Sequence, residues 1–418
     1  MKRVCFLLNN EFLMDNRVER EARTLVEAGY SLTLFCSANR ETARQENRAG
    51  IQIRRIFPKR LHSYKPFSFR LVKAVYRILT STQRFDIVHA HDCNMLLLGW
   101  LLARIWGAKL VYDSHELWES VFSERKQGLH TELPSETGHR SQVNLDRMIR
   151  LERKILPHCD RVITVNQSIG NRLDELRTKE LRTKELGRNP LPDRVGQLKT
   201  TVIIRNISGF YSLPAGQTPR RYHEHFNLRP EQKVILLQGG LRVERGVFKM
   251  IEAMAQVRNP DLVLVLMGPA MAEGFHDELQ ESLQQNHLLP ERVFYKEPVY
   301  GNELLAWTAS ADLGVSPILN SRTNNYFSLP NKLFEYVQAE IPCATSNFPE
   351  MAAIVEEYQL GFTFDPEDTE NLAQKLDAFF ADPNIADFHR DQARQAKKVL
   401  NWEVEQKKLL QLYQEIYS

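Results

Sequence analysis

The stretch LLQGGLRVERGVFKMIEAM, residues 236–254, reads as an apolar strand, a glycine-rich turn and a helix in direct succession. A strand that runs into a helix through glycines is the repeating half-unit of an α/β fold. Working outward, the alternation continues on both sides. Downstream come the strand LVLVLMG, a helix in HDELQESLQQNHL, the strand RVFYKEP, a helix over 301–309, the strand ADLGVSPI, and helices over 370–381 and to the C-terminus. Upstream, RVCFLLN is a strand, NRVEREARTLVEAG a helix stopped by Gly29, and YSLTLFCS a strand. Helices near 67–82 and over 94–106, 145–156 and 166–186 then alternate with the strands FDIVHAH, AKLVYDS, RVITVN and TTVIIRN. Two such series predict an α/β protein of two Rossmann-like, doubly wound domains facing a central cleft, with ligands at the carboxyl ends of the strands. The proline- and glycine-containing stretch 208–230 reads as a linker, so the first domain spans 1–207 and the second 208–401.

The bulk numbers agree with this. A chain of 418 residues with 43% hydrophobic and 26% charged residues suits two soluble domains of about 200 residues each. A formal net charge of +3 implies no general pull toward nucleic acid. The N-terminal apolar run before Asn9 is too short for a signal peptide or a membrane span. Cys5, Cys36, Cys93, Cys159 and Cys343 are scattered without a CxxC pair, as expected of reduced thiols in a cytosolic protein. The tandem LRTKELRTKEL at 176–186 advances about 140° per unit on a helix, so its leucines form no seam and a solvated extension is expected.

Two stretches carry chemistry. In 236–254 the backbone N–H groups of Gly239 and Gly240 can approach a phosphate, and the following helix points its positive end the same way. Arg242 and Arg245 add charges that suit a diphosphate, although a plain turn with solvated arginines reads equally well. The GxGxxG fingerprint is missing here and after the first strand, which counts against a dinucleotide site. The second stretch is NNYFSLPNKLFEYVQAEIPCATSNFPE, residues 324–350. At about 100° per residue, Asn331, Lys332 and Glu335 fall within roughly a third of a helix circumference, with Leu333, Phe334 and Val337 opposite. Burial of the apolar face is expected to turn the polar trio outward. There a carboxylate can accept two ribose hydroxyls and Lys332 can meet a phosphate; an ordinary surface Lys–Glu pair is the competing reading.

These stretches, with MDNRVEREARTLVEAGY, FDIVHAHD and GAKLVYDSHEL in this order and spacing, resemble glycosyltransferase family 4. Its members are retaining enzymes of the GT-B fold that use nucleotide sugars. The resemblance runs from Arg3 to the last helix, 402–418, which it implies packs back on the first domain. It implies that Arg245, just before Gly246, grips the diphosphate, while Arg242 lies one residue past the family's earlier arginine position, taken here by Leu241. Of the family's two glutamates with seven residues between, Glu335 matches the one that holds the ribose. Phe327 stands where the sugar-binding one belongs. The loop can still offer N–H groups from Ser328, Leu329 and Asn331, and Lys332 adds a charge. His91, ending the HAHD strand, matches the histidine that hydrogen-bonds the donor sugar and is expected to project into the cleft, whereas His89 reads as a core histidine. His115 and Glu116 are placed in the acceptor pocket or as supports of His91. Asp15 and Arg17 fall on the acceptor side, with a helix N-cap as the other reading of Asp15.

The resemblance thus implies a metal-independent, retaining enzyme with His91, Arg245 and Lys332 in catalysis and no cofactor. It would move a sugar from a UDP- or GDP-linked donor to a glycan or lipid-linked acceptor in cell-surface polysaccharide or glycoconjugate synthesis. Two other readings stay open: a nucleotide-sugar epimerase, and an inactive donor-binding partner suggested by Phe327. Between 48 and 84 the chain carries Arg54, Arg55, Lys59, Arg60, Lys65, Arg70, Lys73 and Arg77 with no acidic residue, interleaved with Phe57, Tyr64, Phe67, Phe69 and Tyr76. Such a surface suits an anionic membrane at the inner, cytoplasmic face, or a polyanionic glycan, or simply a solvated basic helix.

Overall fold

The computed structural model describes residues 1–13, 15–39, 41–57, 69–81, 83–118, 138–185, 199–212, 220–271, 274–288 and 290–417. The chain divides into two compact units, Met1–Arg205 with Gln406–Ser418, and Asn206–Glu405.

The first unit is built on β1 (Arg3–Leu7), α1 (Asn16–Glu27), β2 (Ser31–Ser37), β3 (Gln45–Arg48), β4 (Ile51–Phe57), α2 (Phe69–Ser81), β5 (Ile87–His91), α3 (Cys93–Trp106), β6 (Lys109–Ser114), α4 (Gly138–Ile155), β7 (Arg161–Thr164), α5 (Gln167–Glu185) and β8 (Val202–Ile203). Its sheet has the order β3-β4-β2-β1-β5-β6-β7-β8, parallel throughout except for the β3–β4 pair. The central strands are buried on both faces, β5 at every residue, as a helix-covered parallel sheet requires. The winding reverses between β1 and β5.

The second unit contains α6 (Arg221–Phe226), β9 (Lys233–Gln238), α7 (Val247–Gln256), β10 (Leu262–Met267), α8 (Phe275–Gln285), β11 (Val293–Lys296), α9 (Asn302–Thr308), β12 (Leu313–Ser316), α10 (Thr323–Tyr326), α11 (Asn331–Gln338), β13 (Cys343–Ser346), α12 (Pro349–Glu357), β14 (Gly361–Phe364), α13 (Thr369–Ala381) and α14 (Pro383–Ala396). Its parallel sheet runs β11-β10-β9-β12-β13-β14 and reverses between β9 and β12. A last helix, α15 (Trp402–Glu415), belongs to the first unit from Gln406 onward. Leu409, Leu412, Tyr413 and Ile416 are buried there, and the Tyr413 hydroxyl lies 2.8 Å from His89 Nδ1.

Several expectations need correction. The stretch 208–230 is not all linker. Among its described residues α6 buries Tyr222 completely, 5.1 Å from the Trp307 ring; residues 213–219 lie outside the described part. Of TTVIIRN only Val202 and Ile203 pair as strand. The β3–β4 hairpin escaped the sequence reading, although Ile51, Ile53, Arg55 and Phe57 alternate inward and Ala49–Gly50, both at positive φ, make the two-residue turn. The repeat is not solvated over its described side chains, 176–181. Leu176 and Leu181 are buried, because a step of about 140° still fits inside a face covered over half its circumference. Arg177 is buried with them and donates to the carbonyls of Cys159 and Lys199; Leu186 lies outside the described residues. All five cysteines are free and buried. Among the described residues no helix is long and apolar enough to cross a membrane.

Candidate active site

In the second unit, the residues singled out from sequence gather at the β9/β12 reversal, where a doubly wound sheet opens a crevice. Strand β9 ends at Gln238 and passes through half-exposed Gly240 into a one-turn 3₁₀ helix, Val243–Arg245. Gly246 follows at φ 72°, and a Cβ there would sit 1.8 Å from the carbonyl oxygen of Pro317. Only glycine lets the Arg245 turn lie against the end of β12. Helix α11 is fixed across the same two strands by Tyr336, whose hydroxyl donates within reach of the Val315 carbonyl (3.0 Å) and the Leu236 carbonyl (3.2 Å). Its ring fills the space over Gly314, where a Cβ would come within 2.4 Å. That anchor sets the rotation of Lys332 and Glu335.

Glu335 is half-buried, and its Oε2 accepts from Gln238 Nε2 at 2.5 Å. Gln238 is itself oriented by the Thr308 hydroxyl, which donates to its Oε1 at 2.8 Å. The carboxylate is thereby presented in one orientation. Lys332 does not turn outward as expected: it is 7% exposed and its Nζ has no hydrogen-bond partner. Burial first, and then repulsion from Arg245, lower its pKa to about 7, with Glu335 pulling the other way. Arg245, Lys332 and Glu335 are therefore neighbours. Arg242 is half-buried on extended backbone just before the turn, Gly239 and Asn331 are exposed, and Pro330 precedes α11 without a side-chain cap. The backbone N–H and hydroxyl of Ser328 are spent on the Asn325 carbonyl, which leaves Leu329 and Asn331 as the loop's candidate amide donors. Phe327 ends α10 and packs on Tyr326, 5.3 Å between ring centres.

In the first unit the β1/β5 reversal holds a buried charge cluster. Arg17 is 4% exposed; it grips Asp113 with Nε and Nη2, donates to the Ile204 carbonyl, and lies 3.2 Å from Glu21. Expected on the acceptor side of this unit, it is drawn into the core by the β6 carboxylate. Burial opposes the charge of Asp113, but Arg17 and His115 hold it well below the usual carboxylate range. Burial pushes the Glu21 carboxyl up against the pull of Arg17. His115 Nε2 lies 3.1 Å from Asp113, its backbone N–H donates to Asp92, and its side chain is 21% exposed. Although burial works against its charge, Asp92 and Asp113 raise its pKa to about 9.

His91 does not project into open space. It is fully buried, stacked on His89 at 4.4 Å and 3.4 Å from Asp113, because alternate strand residues share one face and α1 covers it. His89 is a core histidine, as read. Asp15 caps α1 by accepting from the Val18 N–H, and its other oxygen accepts from Asn10. Glu116 is exposed. Glu21, His89, His91 and Asp113 could each offer a ligand atom to a metal, all within 4.8 Å of one another. Arg17 already lies against both carboxylates, and its guanidinium would repel a dication there.

Sequence reasoning missed Gln238, Thr308, Asp113 and Asp92. Asp92 carries φ 64° and ψ 160°, a region adopted almost only by glycine, directly after β5. Polar residues closing apolar strands, Gln238 in KVILLQ and Asp113 in KLVYDS, were the available signal. Apart from these clusters, α2 buries Leu71, Ala74 and Ile78 and exposes two ridges, Phe69–Val72–Tyr76 and Arg70–Lys73–Arg77. A cavity of about 730 Å³ beside it is lined by Arg44, Phe57, Phe69, Arg70, Lys73 and Arg77 and shares no lining residue with either strand-end cluster. Lys59, Arg60, Tyr64, Lys65 and Phe67 lie outside the described residues.

Residues 14–183 match the family model described as Glycosyltransferase Family 4, and residues 220–399 match the one described as Glycosyl transferases group 1. No curated protein matches the chain by sequence. Among solved structures, a sucrose-phosphate synthase from Thermosynechococcus elongatus is similar over 100% of this chain and 99% of its own, at 17% identity and a TM-score of 0.70. Anabaena HepE in complex with UDP is similar over 99% and 100%, at 16% identity and a TM-score of 0.68, and that protein has also been solved with UDP-glucose. A glycosyltransferase from Rickettsia africae is similar over 100% and 99%, at 15% identity and a TM-score of 0.69.

Proposed function

The chain belongs to glycosyltransferase family 4, and from that premise we propose that it moves a hexose-type sugar from a UDP- or GDP-linked donor to a glycan or lipid-linked acceptor, with retention and without a metal. One observation carries this reading: Arg245, Lys332 and a Gln238-held Glu335 meet at the strand ends of the second unit, beside the start of α11. That constellation suits a ribose joined to a diphosphate. A similarly folded protein that binds UDP and UDP-glucose supports a nucleotide-sugar donor.

In this mechanism Arg245 and Lys332 neutralise charge on the departing diphosphate, and amides at Gly240, Leu329 and Asn331 share the load, whereas the Gly239 N–H, expected to join them, is spent on the Met267 carbonyl at 2.9 Å. Glu335 holds the ribose. With Phe327 in place of a carboxylate, no nucleophilic side chain is assigned. The acceptor hydroxyl attacks from the face the nucleotide leaves, and its proton passes to the leaving phosphate oxygen as the new glycosidic bond forms. In the first unit the surface groups are His115, Asp92 and Glu116; Arg17 and His91 position His115 from below through Asp113. The two ridges of α2 support the further reading that it contacts an anionic membrane at its inner face and works in polysaccharide or glycoconjugate synthesis.

A thermal-shift screen against UDP, GDP and their sugars tests the donor site, since a ligand at a hundred times its Kd stabilises by about 2.7 kcal/mol. Transfer from the donor that binds should then fall by about 10²–10³-fold in Arg245→Ala and be lost in Glu335→Ala. Interconversion of donor alone would instead indicate an epimerase. An inverted anomeric centre in the product would remove the retaining mechanism.

A further inference from the structure

Lys332 is almost wholly buried, and its Nζ meets no acceptor. The charged groups acting on it are Arg245, from the turn after β9, and Glu335, from its own helix. The Oε2 of that carboxylate accepts from Gln238. An ammonium taken out of water without a hydrogen-bond partner is so costly that the group gives up its proton instead. A guanidinium cannot do so, and Arg245 adds repulsion.

We propose that Lys332 is a neutral amine while the donor site is empty and takes one proton from solvent when a sugar-linked nucleoside diphosphate enters, so that donor binding is proton-coupled. This deepens, and rests on, the donor-site reading above. Its ordinary pKa is brought down to about 7 by burial and by Arg245, which leaves the amine uncharged in much of the empty protein at mildly alkaline pH. Both phosphates of a nucleotide sugar are esterified, so the donor brings negative charge and no proton that titrates near neutrality. Its oxygens supply the acceptor that Nζ lacks. The balance is simple: the amine and one solvent proton become ammonium, and no bond of the donor breaks on binding. When the nucleoside diphosphate leaves, Lys332 returns the proton.

Calorimetric titration of the full chain with UDP-glucose and with GDP-mannose at about pH 8, in phosphate and in Tris, reads the proton directly, because these buffers differ in ionisation enthalpy. Close to one proton taken up per donor bound is expected, falling toward none near pH 6. The apparent Kd should rise about tenfold between those two conditions, as the charged fraction of Lys332 falls. In Lys332→Met the uptake disappears while weaker binding remains. Lys332→Arg, whose charge is fixed, should bind without uptake and with a flat pH profile, and it serves if the Met variant fails to fold. Equal heats in both buffers overturn proton coupling and leave the donor site standing. Uptake that persists in both variants puts the proton elsewhere and also overturns it. Binding of neither donor overturns the inference together with the reading beneath it.

Discussion

The two units share a winding and place their polar clusters at the same point, yet they manage charge in opposite ways. In the first, Arg17, Asp113, His115 and Asp92 alternate in sign and contact one another, so each buried charge is met from within. In the second, Arg245 and a buried Lys332 whose Nζ meets no acceptor stand beside the Glu335 carboxylate at the ends of the strands. A cluster that balances itself is a scaffold, costly to break but indifferent to ligand. One that leaves a buried amine without an acceptor is a receptor waiting for an anion.

The contrast can be broken at several points. Asp113→Ala removes the carboxylate that both Arg17 and His115 rely on and should cost about 3–5 kcal/mol in urea unfolding. A loss below about 1 kcal/mol would mean that the first cluster is no scaffold. Arg245→Ala should leave stability nearly unchanged and lower the transfer rate by about 10²–10³-fold in steady-state assays. Gln238→Leu should weaken donor binding by about 1.5–3 kcal/mol, read mainly in KM, because Glu335 loses the bond that orients it. Asp92→Gly and Asp92→Ala both lose the carboxylate, but only glycine suits that backbone; the Gly variant should be the more stable by about 1–3 kcal/mol in thermal melts. The smallest effect is a pH profile. The pKa of His115 is raised to about 9 from an ordinary value near 6.5, so its stabilisation is complete below about pH 6.5 and is lost as pH climbs through 9. The gap between the native chain and His115→Gln should shrink over that range, and a gap that widens would reverse the assignment.

Much of this was legible in the amino-acid order. The strand–glycine–helix rhythm around 236–254 located the winding, and helical phase placed Lys332 and Glu335 on one side of α11. Phase could not reveal that Lys332 is buried, because what covers it is tertiary. His91 misled for the same reason: a strand-end histidine reads as exposed until α1 and β6 bring Glu21 and Asp113 to it. The bonds that orient Glu335 join residues 70 and 97 positions apart, beyond any local periodicity. The hairpin at Ala49–Gly50 was within reach, since Ile51, Ile53, Arg55 and Phe57 carry its two-residue alternation in the sequence itself.

The last helix has a consequence for biosynthesis. The first unit begins at Met1, yet Tyr413 closes its core against His89, and Arg161 donates to the carbonyl of Glu415. On a ribosome adding about 5–20 residues per second, the roughly two hundred residues of the second unit must emerge first, a delay of about 10–40 s. During that interval the nascent first lobe carries an uncovered seam, which makes it the portion a chaperone would need to shield.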